Sequence, residues 1–98
     1  MGIIGYIEIN SKSQIQRASF AKSTLRDVRC VGCEFVEANF QETDLERTLF
    51  RDCHLERADF TRARNYSIDP TSNRLVGASF SFPEAMGLLQ GFGVRIVM

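Results

Sequence analysis

The sequence predicts an all-β solenoid, in which the chain winds as stacked coils, and two periodicities carry this prediction. From Phe20 to Phe60 every fifth residue is apolar, and most of these residues are large. From Ala18 to Ala63 every fifth residue is small. A period of five matches neither the 3.6-residue turn of an α-helix nor the two-residue period of a strand. Strict repetition of this kind is the signature of a repeat architecture.

A longer period of twenty residues sets the length of each coil. The motif A-x-F occurs four times at this spacing, beginning at Ala18 and ending at Phe80. Four pentads per period predict a coil with four sides, each one pentad long, with successive coils about 4.8 Å apart. The large residue of each pentad fills the centre, and the small one lets the narrow coil close. The predicted core comprises Ala18, Phe20, Leu25, Phe35, Ala38, Phe40, Leu45, Phe50, Leu55, Ala58, Phe60, Ala78 and Phe80.

The chain, residues 1–98, is expected to form one domain with three parts. Residues 1–12 predict a short N-terminal strand or cap, because apolar residues alternate there. Residues 13–82 are 70 residues long, which at twenty residues per lap gives about 3.5 coils. Within them the segment 66–77 looks irregular, but Ile68 and Leu75 keep the twenty-residue spacing.

Residues 83–98 predict a C-terminal helix followed by a short strand. Pro83 and Glu84 favour a helix start, and Leu88 and Phe92 lie on one apolar helical face. A glycine, Gly91 or Gly93, is expected to end the helix. Residues 94–98 alternate weakly and predict the strand. Because the end of a solenoid exposes core and unpaired backbone, we expect this helix to cap it.

Composition and charge narrow the function classes. Lysine plus arginine and aspartate plus glutamate both number 12, so no broad basic surface for direct nucleic-acid binding is expected. The apolar stretches are too short to cross a membrane, and no signal peptide is apparent. Three cysteines, an odd number, suit a reducing cytoplasm better than a disulfide framework.

The residue types that carry chemistry do not form a recognisable catalytic pattern. His54 falls at an outward position and is expected to be a solvated surface residue. Cys33 and Cys53 stack in one inward column within disulfide range, although buried free thiols are favoured. The spacing Cys30-x-x-Cys33 lacks the second pair that a zinc site needs. We therefore expect no catalytic residues, no metal and no cofactor, and the chain is not expected to be an enzyme.

The run from Ala38 to Arg62, ANFQETDLERTLFRDCHLERADFTR, resembles the A-[DN]-[LF]-x-x motif of pentapeptide repeat proteins. The resemblance covers about 70 residues and implies the family's right-handed quadrilateral β-helix. Residues 65–70 and 78–84 also resemble the C-terminal end of longer bacterial members. The chain is accordingly expected to correspond to the last part of a larger protein, with its own N-terminal cap.

The outward residues form charge columns with alternating sign. One column is Arg17, Glu37 and Arg57, and similar pairs recur around the coil. Such ladders fix the register between coils, and each exposed pair contributes on the order of 0.2–1 kcal/mol. The other interpretation is a protein-docking face, with Arg51, Arg57 and Arg62 as candidate contacts.

The resemblance favours a protein-interaction module over an enzyme. Some members of the family protect DNA gyrase and several dimerise through a C-terminal helix and strand, so it implies a homodimer and makes gyrase a candidate partner. A monomer with an intramolecular cap is the alternative. A second functional hypothesis is a structural or remnant protein, the split C-terminal half of a longer repeat protein. The candidate cap or dimer interface consists of Met86, Leu89, Phe92, Val94 and Ile96.

Overall fold

The structure is a computed structural model that describes residues 2–3, 7–9, 17–82, 84–95 and 97. Within this part of the chain the strands are short, and a 3₁₀ helix, Glu84–Phe92, follows the last of them. The strands are β1 (Gly2–Ile3), β2 (Ile7–Ile9), β3 (Thr24–Leu25), β4 (Val28–Val31), β5 (Leu49–Arg51), β6 (Asp59–Phe60) and β7 (Ser79–Phe80).

Parallel pairing between successive coils holds the stack together. Cys30 in β4 pairs with Phe50 in β5, and Phe60 in β6 pairs with Phe80 in β7, each twenty residues apart. Single bridges such as Glu34 to His54 repeat this offset on other sides of the coil. The twenty-residue lap predicted from the sequence is therefore confirmed.

The continuous four-sided sheet is only partly present. The described strands form three separate sheets of two or three strands, joined elsewhere by isolated bridges. The pentad explains why the strands are short. About three residues of each pentad are extended, and the remaining two turn the corner to the next side.

Most corners are hydrogen-bonded turns with one left-handed residue, whereas the corners at Asp27, Gly32 and Asp52 are bends. The amide of Thr43 donates to the carbonyl of Phe40 at 3.3 Å, and Glu42 between them has a φ of 55°. A four-residue turn with positive φ at its third residue has type II geometry. The corner residues with positive φ are Arg17, Lys22, Asp27, Gly32, Glu37, Glu42, Arg47, Asp52, Arg57 and Arg62, spaced by five.

The Asn or Asp of the motif has a local role. Oδ1 of Asn39 accepts the amide of Gln41 at 2.9 Å, and Oδ1 of Asp59 accepts the amide of Thr61 at 2.9 Å. A side chain that binds the backbone two residues ahead stabilises a turn. This explains why short Asx side chains suit the position before the large core residue.

The core is a column of stacked phenylalanine rings. The ring centroids of Phe20, Phe40, Phe60 and Phe80 are separated in turn by 5.1, 4.8 and 5.0 Å, with interplanar angles of 11° or less. Phe20 and Phe80 are partly buried because they lie at the two ends of this column. Phe35 contacts the column edge-on, 5.4 Å from Phe40.

The remaining predicted core residues line the same interior. Leu25, Leu45, Phe50 and Leu55 are buried. Ala38 and Ala58 have no exposed surface, whereas Ala18 and Ala78 are partly buried at the ends of the stack. The small residues let the backbone of each side approach the column.

The N-terminal segment adds to the stack with a shifted register. Gly2 pairs with Thr24, an offset of 22 residues, and Ile7 pairs with Val28, an offset of 21. The predicted N-terminal strand is thus two short strands that lie parallel to the next coil. Their lap is longer than twenty residues, and for that reason the pentad count does not detect it.

The last coil departs from the repeat at Asn65. This residue takes a large-residue slot, has a φ of 59° and is exposed. The ring of Tyr66 packs in its place, 5.5 Å from Phe80 and 6.4 Å from Phe60. Ile68 then returns to the buried series.

The C-terminal helix lies against the last coil. Leu88 packs on the core, and Gly91 lies so close to Pro70 that an added Cβ would be 2.4 Å from its Cδ. The helix ends at Phe92, before Gly93 with a φ of 72°. It is a 3₁₀ helix, although an α-helical apolar face led to its prediction.

The predicted final strand over residues 94–98 is not present in the described part of this segment. Val94, Arg95 and Val97 are exposed and belong to no strand. A strand needs a neighbour to pair with, and no described residue supplies one here. Residues 96 and 98 lie outside the described part of the chain.

Candidate functional site

Exposed apolar side chains are concentrated near the C-terminus. Apolar surface that remains uncovered in this way is typical of protein interfaces. We call the following set the C-terminal apolar patch: Val76, Phe82, Leu89, Phe92, Val94 and Val97. Every large hydrophobic residue that is exposed in the described part of the chain belongs to this set.

Two corners and the helix position this patch. Val76 and Phe82 occupy the corners on either side of β7, the last rung of one side of the coil, and are 78% and 79% exposed. At the corner of Phe82 the earlier coils carry charged residues such as Arg62, whereas Val76 follows Glu56 and Val36. Phe82 therefore ends a charged column, and Val76 ends a mixed one.

The helix carries two further residues of the patch, and Val94 and Val97 follow it. Leu88 faces the core, whereas Leu89 and Phe92 are 45% and 58% exposed. Met86, another residue of the predicted interface, is partly buried. Ile96 lies outside the described residues.

An open groove with a volume of about 570 Å³ is lined by Val76 and Phe92 of the patch. Its apolar wall includes Leu75, Phe80, Leu88 and Phe92. Glu56 also lines it, and in the described structure its Oε1 is buried with no hydrogen-bond partner. A carboxylate oxygen in this state is an unsatisfied acceptor, which is costly to bury.

The three arginines of the predicted docking face lie at different positions around the coil. Arg51 is exposed at the end of β5. Arg57 lies 3.7 Å from Glu37, and the backbone amide of Arg62 donates to Oγ of Ser81 at 2.9 Å. The four-sided coil thus distributes these side chains around its circumference instead of forming one cluster.

A network of charged residues covers another corner. Nη2 of Arg26 donates to Oδ2 of Asp44 at 2.7 Å, and Nδ2 of Asn65 donates to Oδ1 at 3.0 Å. The side chain of Asp44 is only 7% exposed. The hydrogen bonds from Asn65 and Arg26 lower the pKa of Asp44 to about 2. Its ionised form therefore stabilises the fold.

Ion pairs also join adjacent coils at two columns. Arg47 pairs with Asp27, with Nη2 3.0 Å from Oδ2. Glu37 lies between Arg17 at 3.6 Å and Arg57 at 3.7 Å. These pairs are exposed, so they fix register more than they add stability.

The nucleophilic and metal-binding residue types do not form a reactive cluster. Cys30, Cys33 and Cys53 are buried, and burial raises the pKa of the Cys33 thiol to about 11. Such thiols are poorly ionised at neutral pH and behave as small apolar side chains. Among the described residues, no group of His, Cys, Asp and Glu could hold a metal ion. No helix among them is long and apolar enough to span a bilayer.

Asn73 is a structural residue that the sequence analysis missed. It lies twenty residues after Cys53, in the inward series of small residues, and is 9% exposed. Its Oδ1 accepts the amide of Cys53 at 3.0 Å, and its Nδ2 donates to the carbonyls of Phe50 and Asp69 at 2.9 Å each. The sequence did contain a signal for this role, because Asn73 is a polar residue at a position where the repeat places an inward side chain.

Comparison with known proteins places this geometry in a family. The model of the family described as pentapeptide repeats matches eight copies, over residues 13–52 and 38–64. No curated protein matches the chain. A trypsin-treated variant of QnrB1, a plasmid-mediated fluoroquinolone resistance protein, superposes with a TM-score of 0.74 at 13% identity, over 96% of this chain and 45% of QnrB1.

Two further structures are similar over part of their length. A second trypsin-treated QnrB1 variant shares 21% identity, with a TM-score of 0.44, over 91% of this chain and 45% of the other. The pentapeptide repeat protein Rfr23 of the cyanobacterium Cyanothece shares 12% sequence identity, with a TM-score of 0.24. The match covers 78% of this chain and 85% of Rfr23. The chain spans about half the length of the QnrB1 chains. The family match, which covers more than half of its residues, shows that the chain belongs to the pentapeptide repeat family, whose fold is a right-handed β-helix.

Proposed function

We propose that the chain is a non-enzymatic protein-interaction module that forms a homodimer through its C-terminal apolar patch. The observation that carries the proposal is the patch itself. Phe82 and Phe92 are 79% and 58% exposed, whereas the phenylalanines of the middle coils are almost completely buried. Covering the patch with a second copy would remove this apolar surface from water, at about 25 cal/mol per Å².

Symmetry makes a second copy a suitable occupant. In a twofold dimer the same patch contributes from both chains, so one exposed surface covers the other. The helix and the two apolar corners lie at one end of the solenoid, and an end-to-end dimer leaves the charged sides free. A specific interface of this kind buries about 800 Å² on each partner.

We propose DNA gyrase as the first protein partner to test. This part of the proposal depends on the resemblance to family members that protect gyrase. The coil surface is nearly neutral, with 9 acidic and 8 basic residues between positions 13 and 62. Binding by this chain would therefore depend on shape and local contacts more than on net negative charge.

The dimer is tested by light scattering of the purified protein over a range of concentrations. We expect twice the chain mass, and we expect Phe92→Asp to give a monomer with an unchanged circular dichroism spectrum. Ala21→Asp, which introduces the same charge in the first coil, sixty residues before Ser81, is the matched control and should remain dimeric. A monomeric wild-type protein would contradict the proposal.

The partner is tested separately in a supercoiling assay with purified gyrase. Protection of gyrase from a fluoroquinolone, or inhibition of supercoiling, would support gyrase as the partner. A folded dimer without either effect would exclude gyrase. If an N-terminal repeat protein from the same genome co-purifies stoichiometrically instead, the alternative of a split, structural C-terminal half would be favoured.

A further inference from the structure

The first coil of the repeat series has an unpaired backbone edge along residues 18–22. In the later coils, the residue before the large phenylalanine binds the preceding coil through both of its backbone groups. The amide of Asn39 donates to the carbonyl of Ala18 at 2.8 Å, and the carbonyl of Asn39 accepts the amide of Phe20 at 2.7 Å. Asp59 binds the coil of Asn39 in the same way.

Ser19 occupies the equivalent position in the first coil, where it bridges to Asn39. Because its neighbours Ala18 and Phe20 direct their backbone groups to the next coil, the amide and carbonyl of Ser19 face the opposite edge. Neither group has a partner among the residues that the structure describes, and Ser19 is exposed. Two other sides of this coil are paired, with β1 and β2. An unpaired edge of this kind is a template for a further strand.

The apolar interior is also incompletely covered at this edge. Ala18 and Phe20 are only partly buried, whereas Ala38 and Phe40 in the next coil are 0% and 1% exposed. The ring of Phe20 stacks on that of Phe40 at 5.1 Å, and no other described ring stacks on its opposite face. A large apolar side chain at the next level of the column would cover this ring, and a small one would fit above Ala18.

The charged corners at the two ends of this edge are both basic. Arg17 lies 3.6 Å from Glu37 of the next coil, and its side chain is 80% exposed. Lys22 is exposed and precedes Glu42 by twenty residues. Since opposite charges alternate along these columns, an acidic residue fits beside each basic one. The complementary segment therefore has the pattern acidic, small, any, large apolar, any, acidic, for which residues 37–42, EANFQE, are an example.

We infer that the edge formed by Ala18–Lys22 binds an extended segment of a partner protein, in parallel orientation, whose sequence follows this pattern. The segment exchanges two backbone hydrogen bonds with Ser19, covers the ring of Phe20 and pairs its acidic residues with Arg17 and Lys22. Such strand addition combines backbone affinity with side-chain specificity. The edge belongs to the first coil and the C-terminal apolar patch follows the last one, so this inference does not rest on the proposed homodimer.

Titration of the isotope-labelled, full-length protein with an acetylated and amidated peptide EANFQE tests the inference by nuclear magnetic resonance. We expect chemical-shift changes at residues 18–22, slower solvent exchange of the Ser19 amide, and Overhauser contacts between the peptide ring and Phe20. The peptide EANAQE should bind at least about tenfold more weakly, because it has no ring to cover Phe20. The peptide KANFQK should also bind more weakly, because it brings like charges together at both corners.

Variants of the protein separate backbone pairing from other contacts. Ser19→Pro removes the free amide and should raise the peptide Kd at least about tenfold, although the described fold loses no backbone hydrogen bond. Ser19→Ala, which keeps the amide, is the matched control and should bind the peptide as the wild-type protein does. Phe92→Asp, at the other end of the solenoid, should also leave peptide binding unchanged. Circular dichroism checks that each variant is folded.

Each outcome supports or overturns the inference. Protection of the Ser19 amide before peptide is added would mean that the chain itself or a second copy already occupies the edge, and the inference would be wrong. It would also be wrong if millimolar peptide caused no shifts at residues 18–22, if EANFQE and EANAQE bound equally, or if Ser19→Pro bound normally. A monomeric wild-type protein that binds the peptide would overturn the homodimer and leave this inference standing.

Discussion

At the scale of single residues, the fold depends on side chains that replace missing backbone partners. Asn39 and Asp59 each cap a turn two residues ahead. Asn73 does more, because it substitutes for a backbone carbonyl between two coils and at the same time binds two carbonyls itself. These contacts allow a short chain to bend every five residues while the backbone groups that they bind remain paired.

Removing the Asn73 side chain should destabilise the last coil. Asn73→Ala leaves the amide of Cys53 and the carbonyl of Phe50 without their partner, and each unsatisfied buried group costs about 1–3 kcal/mol. Urea unfolding should show a correspondingly lower midpoint. Asn39→Ala is the matched control, since it removes only one hydrogen bond at a less buried site. Equal losses for the two variants would contradict the bridging role.

The stability of the protein should depend on Asp44 in acid. Its pKa is lowered from 3.8 to about 2 by Asn65 and Arg26, so the unfolded chain takes up a proton before the folded one. The stabilisation is complete above pH 3.8 and is lost as the pH falls through about 2. In Asp44→Asn this part of the acid dependence should disappear, measured as unfolding free energy against pH. An unchanged slope in the variant would rule out this role.

At the scale of elements, the left-handed backbone of the corners limits which residues can occupy them. Most of the left-handed corner positions hold charged residues, although such positions usually favour glycine. Among the described turns of the coils, glycine occupies this position only at Gly32 and Gly77. The left-handed conformation costs roughly 1–2 kcal/mol for a residue with a Cβ. The exposed ion pairs between coils offset little of this. The stacked core therefore has to stabilise the strained corners.

A β-branched residue at a corner should be more destabilising than glycine. Glu42 has a φ of 55° and makes no described side-chain contact. Glu42→Val should lower stability by about 1–2 kcal/mol, whereas Glu42→Gly should be nearly neutral, because glycine adopts positive φ freely. Thermal or urea unfolding of the two variants measures the difference. If valine is as stable as glycine, the left-handed corner is not strained.

The predictability of each element followed from its period. The twenty-residue register of Phe40, Phe60 and Phe80 could be predicted because every coil repeats the same small and large slots. The shifted lap at Gly2 and Ile7 could not, because it contains extra residues that break the count. The final strand was wrong for the described residues 94, 95 and 97, because alternation does not by itself supply a pairing partner.

At the scale of the whole molecule, the residues that stabilise the fold are different from those that are exposed for binding. The phenylalanine column and its alanines are internal, and the charged columns cover the sides. The C-terminal apolar patch was partly predictable, since Leu89 and Phe92 follow a helical spacing. Val76 and Phe82 were not predicted as part of it, because their exposure depends on which corner of the last coil they occupy. The unsatisfied Glu56 oxygen was hidden for the same reason.

The phenylalanine column is the claim on which the other assignments depend, and ring-to-ring nuclear Overhauser effects test it most directly. With phenylalanine rings selectively labelled, we expect contacts between Phe40 and Phe60, whose centroids are 4.8 Å apart, and between Phe60 and Phe80 at 5.0 Å. Phe20 and Phe60 should show none, because Phe40 lies between them. Absence of the Phe40–Phe60 contact in the folded protein would contradict the twenty-residue coil.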